Sequence, residues 1–496
     1  MTGSLDVTAL AHRVLLASFS GPVVPPWLLA RLERGLGGVC LYGDNVRDLA
    51  QVGRATAAVH AARPEAITTL DEEGGDVTRL YYRTGSPHAG AAVLGAADDE
   101  RLTSMVGGDI GTQLLAHGVD LDLGPVADVN SNPANPVIGV RSFGADAGAC
   151  SRHVAAWVRG LQAAGAGACL KHFPGHGDTA ADSHLDLPVV DRPLEVLRER
   201  ELPPFAAGIA AGAVAVMTSH VVLRALDACA PATFSPAATR LLREELGFEG
   251  LVVSDALDMR GASAGRGVPA AAVLALRAGA DLLCLGPGLA DASLEAVVAA
   301  VTDAVADGTL PLGRLREAAD RVDTASARLA GLRALAQAAP APQASAEAAT
   351  LALSVTGSLS ARTGAQVLQL DGGSNQAVGH VPWGLPVDGR VLAGGELVAM
   401  SPDDVGPPDD LDVGPDDDPV ARLDDRPVVV LVRDAGRQAW ARAVIERVAA
   451  RRPDAVLVEM GWPDPEPLVE GLTTVCTRGA SQASAQALDR LLAEGR

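Results

Sequence analysis

Eight short apolar runs punctuate the first two-thirds of the chain, and their spacing restricts the fold more than any other feature. They are LLASFSG (15–21), GVCLYG (38–43), AITTLDEE (66–73), VDLDLGPVADV (119–129), GACLKHF (167–173), AVAVMTSHV (213–221), GLVVSDALDM (250–259) and ADLLCLG (280–286). Each is too short for a helix and too uniformly apolar for a half-exposed strand, so each reads as a strand buried on both faces. Stretches with helical spacing lie between them, such as RLTSMVGGDIGTQLLAHG and PLEVLRERELPPFAAGIAAG. Eight strand–helix units in succession predict an α/β fold, a TIM-type (β/α)8 barrel.

The chain has 496 residues, too many for one ordinary core. The barrel is expected over residues 1–333. The stretch ALAQAAPAPQASAEAA (334–349) reads as a linker or irregular helix. Residues 350–496 carry weaker α/β signals, with strands expected in AQVLQLD, RPVVVLVRD, DAVLVEMGWP and TTVCTRG and helices at 436–450 and 481–494. Between these strands runs an acidic stretch, 402–426, with ten aspartates between 403 and 425. It lacks the spacing and closing glutamate of an EF-hand and reads as a solvated loop.

A barrel puts its chemistry at the C-terminal ends of its strands. Polar residues fall at that end of five runs: Asp71-Glu72-Glu73, then Asp128, Asn130 and Arg141, then Lys171-His172, Ser219-His220 and Ser254-Asp255. Asp255 follows a buried run, where rigid backbone can aim its carboxylate as nucleophile, base or ligand; a helix cap is the plainer alternative. Asp182-Ser183-His184 has one residue between acid and imidazole, so a tight turn lets the aspartate fix a tautomer and raise the basicity of the histidine. An ordinary surface loop is its alternative. The surrounding GHGDTAADSH, rich in small residues, is expected to move over a substrate.

Lys171 is the only lysine in the chain; the other 39 of the 40 Lys and Arg residues are arginine. A compact ammonium hydrogen-bonds differently from a planar guanidinium, so this position reads as a tight site that excludes arginine. His172 and His176, with Asp182 or His184, invite a metal reading and hence a metal-dependent hydrolase. The intervening Pro-Gly breaks any helix that would align them, and Lys171 would repel a cation, so no metal or other cofactor is expected. Asp71 can accept sugar hydroxyls with Arg79 alongside, across a Gly-Gly that turns the chain sharply.

Net charge is −21, which argues against nucleic-acid and anionic-membrane partners. No apolar run is long enough to span a membrane, and the first 22 residues lack a basic segment, so a cytoplasmic protein is expected. The six cysteines form no CxxC and read as reduced core residues.

Together the pieces LDEEGGDVTRL, GVDLDLGPVADVNSNPANPVIGVRSFG, KHFPGHGDTAADSHLDLP, MTSHVV, PATFSP and GLVVSDALDM resemble glycoside hydrolase family 3, in its NagZ-like β-N-acetylglucosaminidase branch. They span roughly residues 10–330. The resemblance implies a retaining exo-acting enzyme with Asp255 as nucleophile and His184, held by Asp182, as acid/base. It implies that Asp71, Arg79, Arg141, Lys171, His172 and His220 bind the sugar. The implied partner is a small saccharide, from cell-wall fragments or chitooligosaccharides; a monomer or weak homo-oligomer is expected. Transfer to phosphate instead of water, and β-glucosidase or β-xylosidase activity, stay open. Many relatives carry Gln where Glu72 stands, which adds a negative charge near the expected sugar site. Residues 350–496 resemble the family's α/β sandwich domain and, with the dyad in the barrel, are not expected to be needed for the chemistry.

Overall fold

Every one of the eight runs forms a strand in the computed structural model, which describes residues 6–180, 182, 187–337, 341–373, 375–405, 419–464 and 466–495. These strands are β1 (Leu15–Ala17), β2 (Gly38–Cys40), β3 (Ile67–Leu70), β4 (Leu121–Asp122), β5 (Gly167–Phe173), β6 (Ala215–Thr218), β7 (Leu251–Val253) and β8 (Leu283–Cys284). They pair in parallel in the order β8-β1-β2-β3-β4-β5-β6-β7. A parallel bridge between Val253 and Leu282 joins β7 to β8 and closes the barrel. Helices cover the outside, so the strands are buried throughout, as in the unbroken buried run of β5.

The barrel interior is built from small and aliphatic side chains, among them Leu16, Cys40, Ile67, Leu121, Cys169, Ala215 and Leu251. Val322, Ala325 and Leu329 of the helix Leu312–Ala334 pack on this cluster. Leu329 reaches Gly167 at the start of β5, so this helix seals the N-terminal end and leaves the other end open for chemistry. Cys40, Cys150, Cys169 and Cys284 are buried thiols; Cys229 is exposed, which corrects the reading of all six as core residues.

The second helical stretch quoted above is broken by a wider π turn at Leu197–Glu201, between Leu194–Val196 and Leu202–Ala210. Pro203 and Pro204 follow that turn, and their missing N–H donors cannot complete an α-helical ladder there.

Residues 342–352, most of them in the expected linker, form a helix. Ala344, Ala348, Ala349 and Ala352 are buried against the barrel side, and Ser345 Oγ accepts a hydrogen bond from the Ala89 N–H at 3.1 Å. Small side chains that read as linker composition permit close packing here. Beyond it lie β9 (Ser354–Thr356), β10 (Gln366–Leu370), β11 (Glu396–Met400), β12 (Val428–Val432), β13 (Val456–Glu459) and β14 (Thr473–Cys476). Their order is β9-β14-β13-β12-β10-β11, parallel except for β9. Two apolar clusters, one on each face of this sheet, make it a sandwich with helices such as Ala439–Arg451 and Gln482–Glu494. Most of the acidic stretch, 406–418, lies outside the described residues.

Candidate active site

A cavity of about 360 Å³ opens at the C-terminal ends of the barrel strands. Its lining includes Asp71, Glu73, Arg79, Arg141, Lys171, His172, His176 and Asp255, brought together from β3, β4, β5 and β7. Asp71 and Lys171, 100 residues apart in the sequence, come within hydrogen-bond distance here because parallel strands start and stop in register.

Lys171 is the centre of the charged wall. It is 2 % exposed, and its Nζ lies 2.7 Å from Asp71 Oδ1 and 2.6 Å from Glu73 Oε1. Arg141 grips the same Glu73 with two parallel bonds of 2.9 and 2.8 Å. Arg79 stands 3.5 Å from the other oxygen of Asp71. Burial pushes the carboxyls of Asp71 and Glu73 up, but the cations outweigh it: Lys171 and Arg79 hold Asp71 below the usual carboxylate range, and Arg141 and Lys171 do the same for Glu73. Burial pulls the Lys171 ammonium down, and Asp71 and Glu73 more than reverse it. All these groups are charged at neutral pH, which buried ions tolerate only when mutually paired.

Gly74 and Gly75 turn the chain immediately after Glu73, both at positive φ (73° and 62°). That turn sends Glu72 away from the cavity. Glu72 is fully buried and accepts from Thr78 Oγ1 at 2.6 Å and from the N–H groups of Arg79 and Leu80 at 3.0 and 2.9 Å. The expected extra charge at the sugar site is therefore corrected: Glu72 closes the loop that carries Arg79. Burial raises its pKa from 4.5 to about 7, against the pull of those hydrogen bonds.

His172 is oriented by Asp128, which sequence reasoning noted at a strand end but did not assign. Asp128 Oδ2 lies 2.7 Å from His172 Nδ1, and Oδ1 accepts from the backbone N–H groups of His172 and His176 at 3.2 and 2.8 Å. Arg141 approaches His172 Nε2 at 3.4 Å, a contact that suits an imidazole protonated on Nδ1. Burial pushes the Asp128 carboxyl up, but His172 and His176 outweigh it and hold it below the ordinary value. His176 is buried, and burial first, then the neighbouring His172, lowers its pKa to about 4.

The loop after β5 is anchored over residues 175–179, which corrects the expectation that the whole stretch moves. Gly177 packs so tightly that a Cβ there would fall 1.7 Å from the Val129 carbonyl oxygen. Asn135 Nδ2 donates to the His176 carbonyl at 2.9 Å. Asp178 accepts from Arg192 Nε at 2.7 Å and Arg200 Nη2 at 2.9 Å. Asp182 follows, half-buried; His184 lies outside the described residues.

Opposite the charged wall, Asp255 is half-buried and its Oδ1 accepts from the Ala256 N–H at 2.7 Å. His220, expected among the sugar contacts, is fully buried and does not line the cavity. Its Nε2 donates to the Ala256 carbonyl at 3.0 Å and its Nδ1 meets Thr233 Oγ1 at 2.9 Å. His220 thus braces the backbone beside Asp255. Gln376 and Ala377, from the second domain, complete the lining, and nothing in their own sequence signals that role.

Among the described residues no group of three or more His, Cys, Asp or Glu has the arrangement of a metal site. Among the described residues no helix is long and apolar enough to cross a membrane.

A closed parallel barrel with paired charges and the Asp255 carboxylate around one mouth-end cavity defines a barrel of the enzyme class, with its chemistry at the C-terminal ends of the strands. Comparison with known proteins narrows the class. Residues 30–325 match the model of the glycosyl hydrolase family 3 N-terminal domain. The chain belongs to glycoside hydrolase family 3. A protein named beta-hexosaminidase from Stenotrophomonas maltophilia (strain R551-3) is 39% identical over 270 residues, 53% of this chain and 80% of that one. Beta-hexosaminidase A of Pseudoalteromonas piscicida is 37% identical over 263 residues, and the match spans 48% of this chain but only 44% of that protein. A solved family 3 beta-N-acetylglucosaminidase from Paenibacillus sp. str. FPU-7 superposes over 99% of this chain and 97% of its own, with TM-score 0.84 at 29% identity. NagZ from Neisseria gonorrhoeae, solved in complex with N-trifluoroacetyl-D-glucosamine, covers 65% of this chain and 98% of its own, with TM-score 0.52 at 31% identity.

Proposed function

We propose that this glycoside hydrolase is a retaining exo-β-N-acetylglucosaminidase. The carrying observation is that Asp255 shares one cavity with the Asp71, Arg79, Lys171 and Arg141 cluster. A cavity, rather than an open groove, suits removal of one terminal sugar. Paired charges that present both donors and acceptors suit a ring of hydroxyl groups. The names of the relatives support the β-linked N-acetylhexosamine as the sugar removed.

In this reading the Asp255 carboxylate attacks the anomeric carbon while His184, held by Asp182, gives its proton to the departing glycosidic oxygen. The C–O bond to the aglycone breaks as the bond to Asp255 forms. The neutral imidazole then takes a proton from water, which attacks the same carbon and frees Asp255. Most glycosidases use two carboxylates for these roles. A histidine fits as the second group because its ordinary pKa lies near neutrality. Asp71, Arg79, Lys171, Arg141 and His172 hold the sugar, and His220 supports the site through the Ala256 backbone.

A panel of aryl β-glycosides, each run with and without inorganic phosphate, tests the reading. Turnover of the N-acetylglucosaminide to free sugar, lost in Asp255→Ala, is expected. Preference for the glucoside or xyloside, or a sugar phosphate as product, would overturn the substrate or the acceptor respectively. The natural substrates in this reading are cell-wall-derived or chitooligosaccharide β-glycosides in the cytoplasm.

A further inference from the structure

Contacts from the second domain concentrate on the two barrel loops that carry the sugar-facing arginines. On the loop after β3, Asp76 accepts from the Ala480 N–H at 2.8 Å, and the Tyr82 hydroxyl accepts from the His380 N–H at 3.0 Å. Gln482 donates from Nε2 to the carbonyls of Thr84 and Gly85 at 2.9 and 3.0 Å. On the segment after β4, Arg437 donates to the Asn135 carbonyl, and Asn375 Nδ2 donates to that of Pro136 at 3.3 Å. Arg79 belongs to the first loop and Arg141 follows the second.

Arg79 itself crosses the boundary. Its Nη2 donates to the Ala377 carbonyl at 2.7 Å and its Nη1 reaches that of Val378 at 3.5 Å, while its buried Nε has no hydrogen-bond partner among the described residues. Those carbonyls are aimed by a turn that Asn375 closes, its Oδ1 accepting from the Val378 N–H at 3.0 Å. Ala377 packs with Val126, Val137 and Ile138 into an apolar patch, and Ala377, Val137 and Ile138 also line the cavity. Beside it, exposed Gln376 stands on the cavity wall, its carboxamide unpaired among the described residues.

We propose that the second domain is a working wall of the saccharide site, in which Gln376 touches the bound sugar and Asn375 positions Arg79 through the turn 375–378. A carboxamide offers a donor and an acceptor together, the pair that a vicinal diol or an amide-bearing sugar can satisfy. The second domain is then needed for binding, although the reacting groups lie in the barrel. This inference rests on the reading of the cavity as a saccharide site.

The full chain and its Gln376→Ala, Gln376→Asn and Asn375→Ala variants decide it, with an aryl β-N-acetylglucosaminide as probe. Gln376→Ala is expected to raise KM at least fivefold with kcat within twofold, and Gln376→Asn to restore part of the loss. Asn375→Ala is expected to raise KM by displacing Arg79. KM within twofold of the parent in both alanine variants, with thermal midpoints unchanged, overturns the proposal. If the parent hydrolyses a different aryl glycoside, the N-acetylglucosaminidase reading fails and the same ratios are read on that substrate. If it hydrolyses none, calorimetric titration with N-acetylglucosamine replaces the assay, and absence of binding overturns both.

Discussion

Lys171 Nζ sits 2.6 Å from Glu73 Oε1, and the same carboxylate takes two further hydrogen bonds from Arg141. Glu73 thereby ties β5 to the segment after β4, and Asp71 on Lys171 ties in β3. The chain that uses arginine everywhere else keeps lysine at the point where one nitrogen must lie between two carboxylates.

Lys171→Met should cost about 3–5 kcal/mol, because two buried carboxylates lose a counter-charge. Lys171→Arg should cost less, about 1–3 kcal/mol, as a larger planar head is forced into a filled space. Both should lower kcat/KM at least tenfold. Thermal unfolding with steady-state kinetics measures the two effects separately. Parent-like kinetics in Lys171→Arg would contradict a site shaped for a point charge.

Glu72→Gln should stabilise the protein at alkaline pH and leave activity within about threefold. The folded-state pKa of Glu72 is raised to about 7 from 4.5, so the fold favours the protonated acid. Its contribution is favourable below pH 4.5 and is lost as pH rises through 7. The difference between variant and parent should grow over that window to on the order of 3 kcal/mol by pH 8. Gln can accept the Arg79 and Leu80 N–H bonds and donate to Thr78, so the loop is preserved. Chemical denaturation at pH 5 and pH 8 reads the effect, and an equal difference at both would contradict it.

Much of this site was legible in the sequence, for reasons the structure makes plain. The strands announced themselves because burial on both faces leaves no polar period to confuse with a helix. Lys171 stood out against 39 arginines. Glu73 and Asp128 carried no such mark, since their work is to pair with Lys171, Arg141 and His172, and pairing partners are set by tertiary contact. His220 and Glu72 misled for the converse reason: each sits at a strand end, but the backbone turns it behind the cavity. Gln376 was invisible because it reaches the site from another domain. Helix 342–352 hid in alanine-rich composition that reads equally as linker.

Asp178→Ala should lower kcat at least tenfold with little change in KM. Asp178 binds Arg192 and Arg200 and so fixes the loop that leads to Asp182, while the sugar-holding Asp71, Arg79 and Arg141 stand on other loops and Lys171 and His172 on β5 itself. Burial raises its carboxyl, but Arg192 and Arg200 outweigh it and keep it ionised at neutral pH. Steady-state kinetics with a single aryl glycoside suffices. A raised KM with unchanged kcat would place the loop in binding rather than proton transfer.

Gly177→Ala should be more damaging to stability than an ordinary surface change, since a Cβ at 1.7 Å from the Val129 carbonyl must displace backbone. A loss of about 2 kcal/mol or more is expected, within the range for overpacking. Denaturant unfolding checks it, and a loss under 0.5 kcal/mol, the scale of ordinary surface substitutions, would show that residues 175–179 yield easily.

Trapping the covalent intermediate tests the central role of Asp255 most directly. The full chain is incubated with a 5-fluoro β-N-acetylglucosaminyl fluoride, digested and mapped by mass spectrometry. One fluorosugar ester on Asp255, with loss of activity in proportion to labelling, is the expected result. An ester on Asp71, Glu73 or another carboxylate, or turnover with no ester at all, would contradict it.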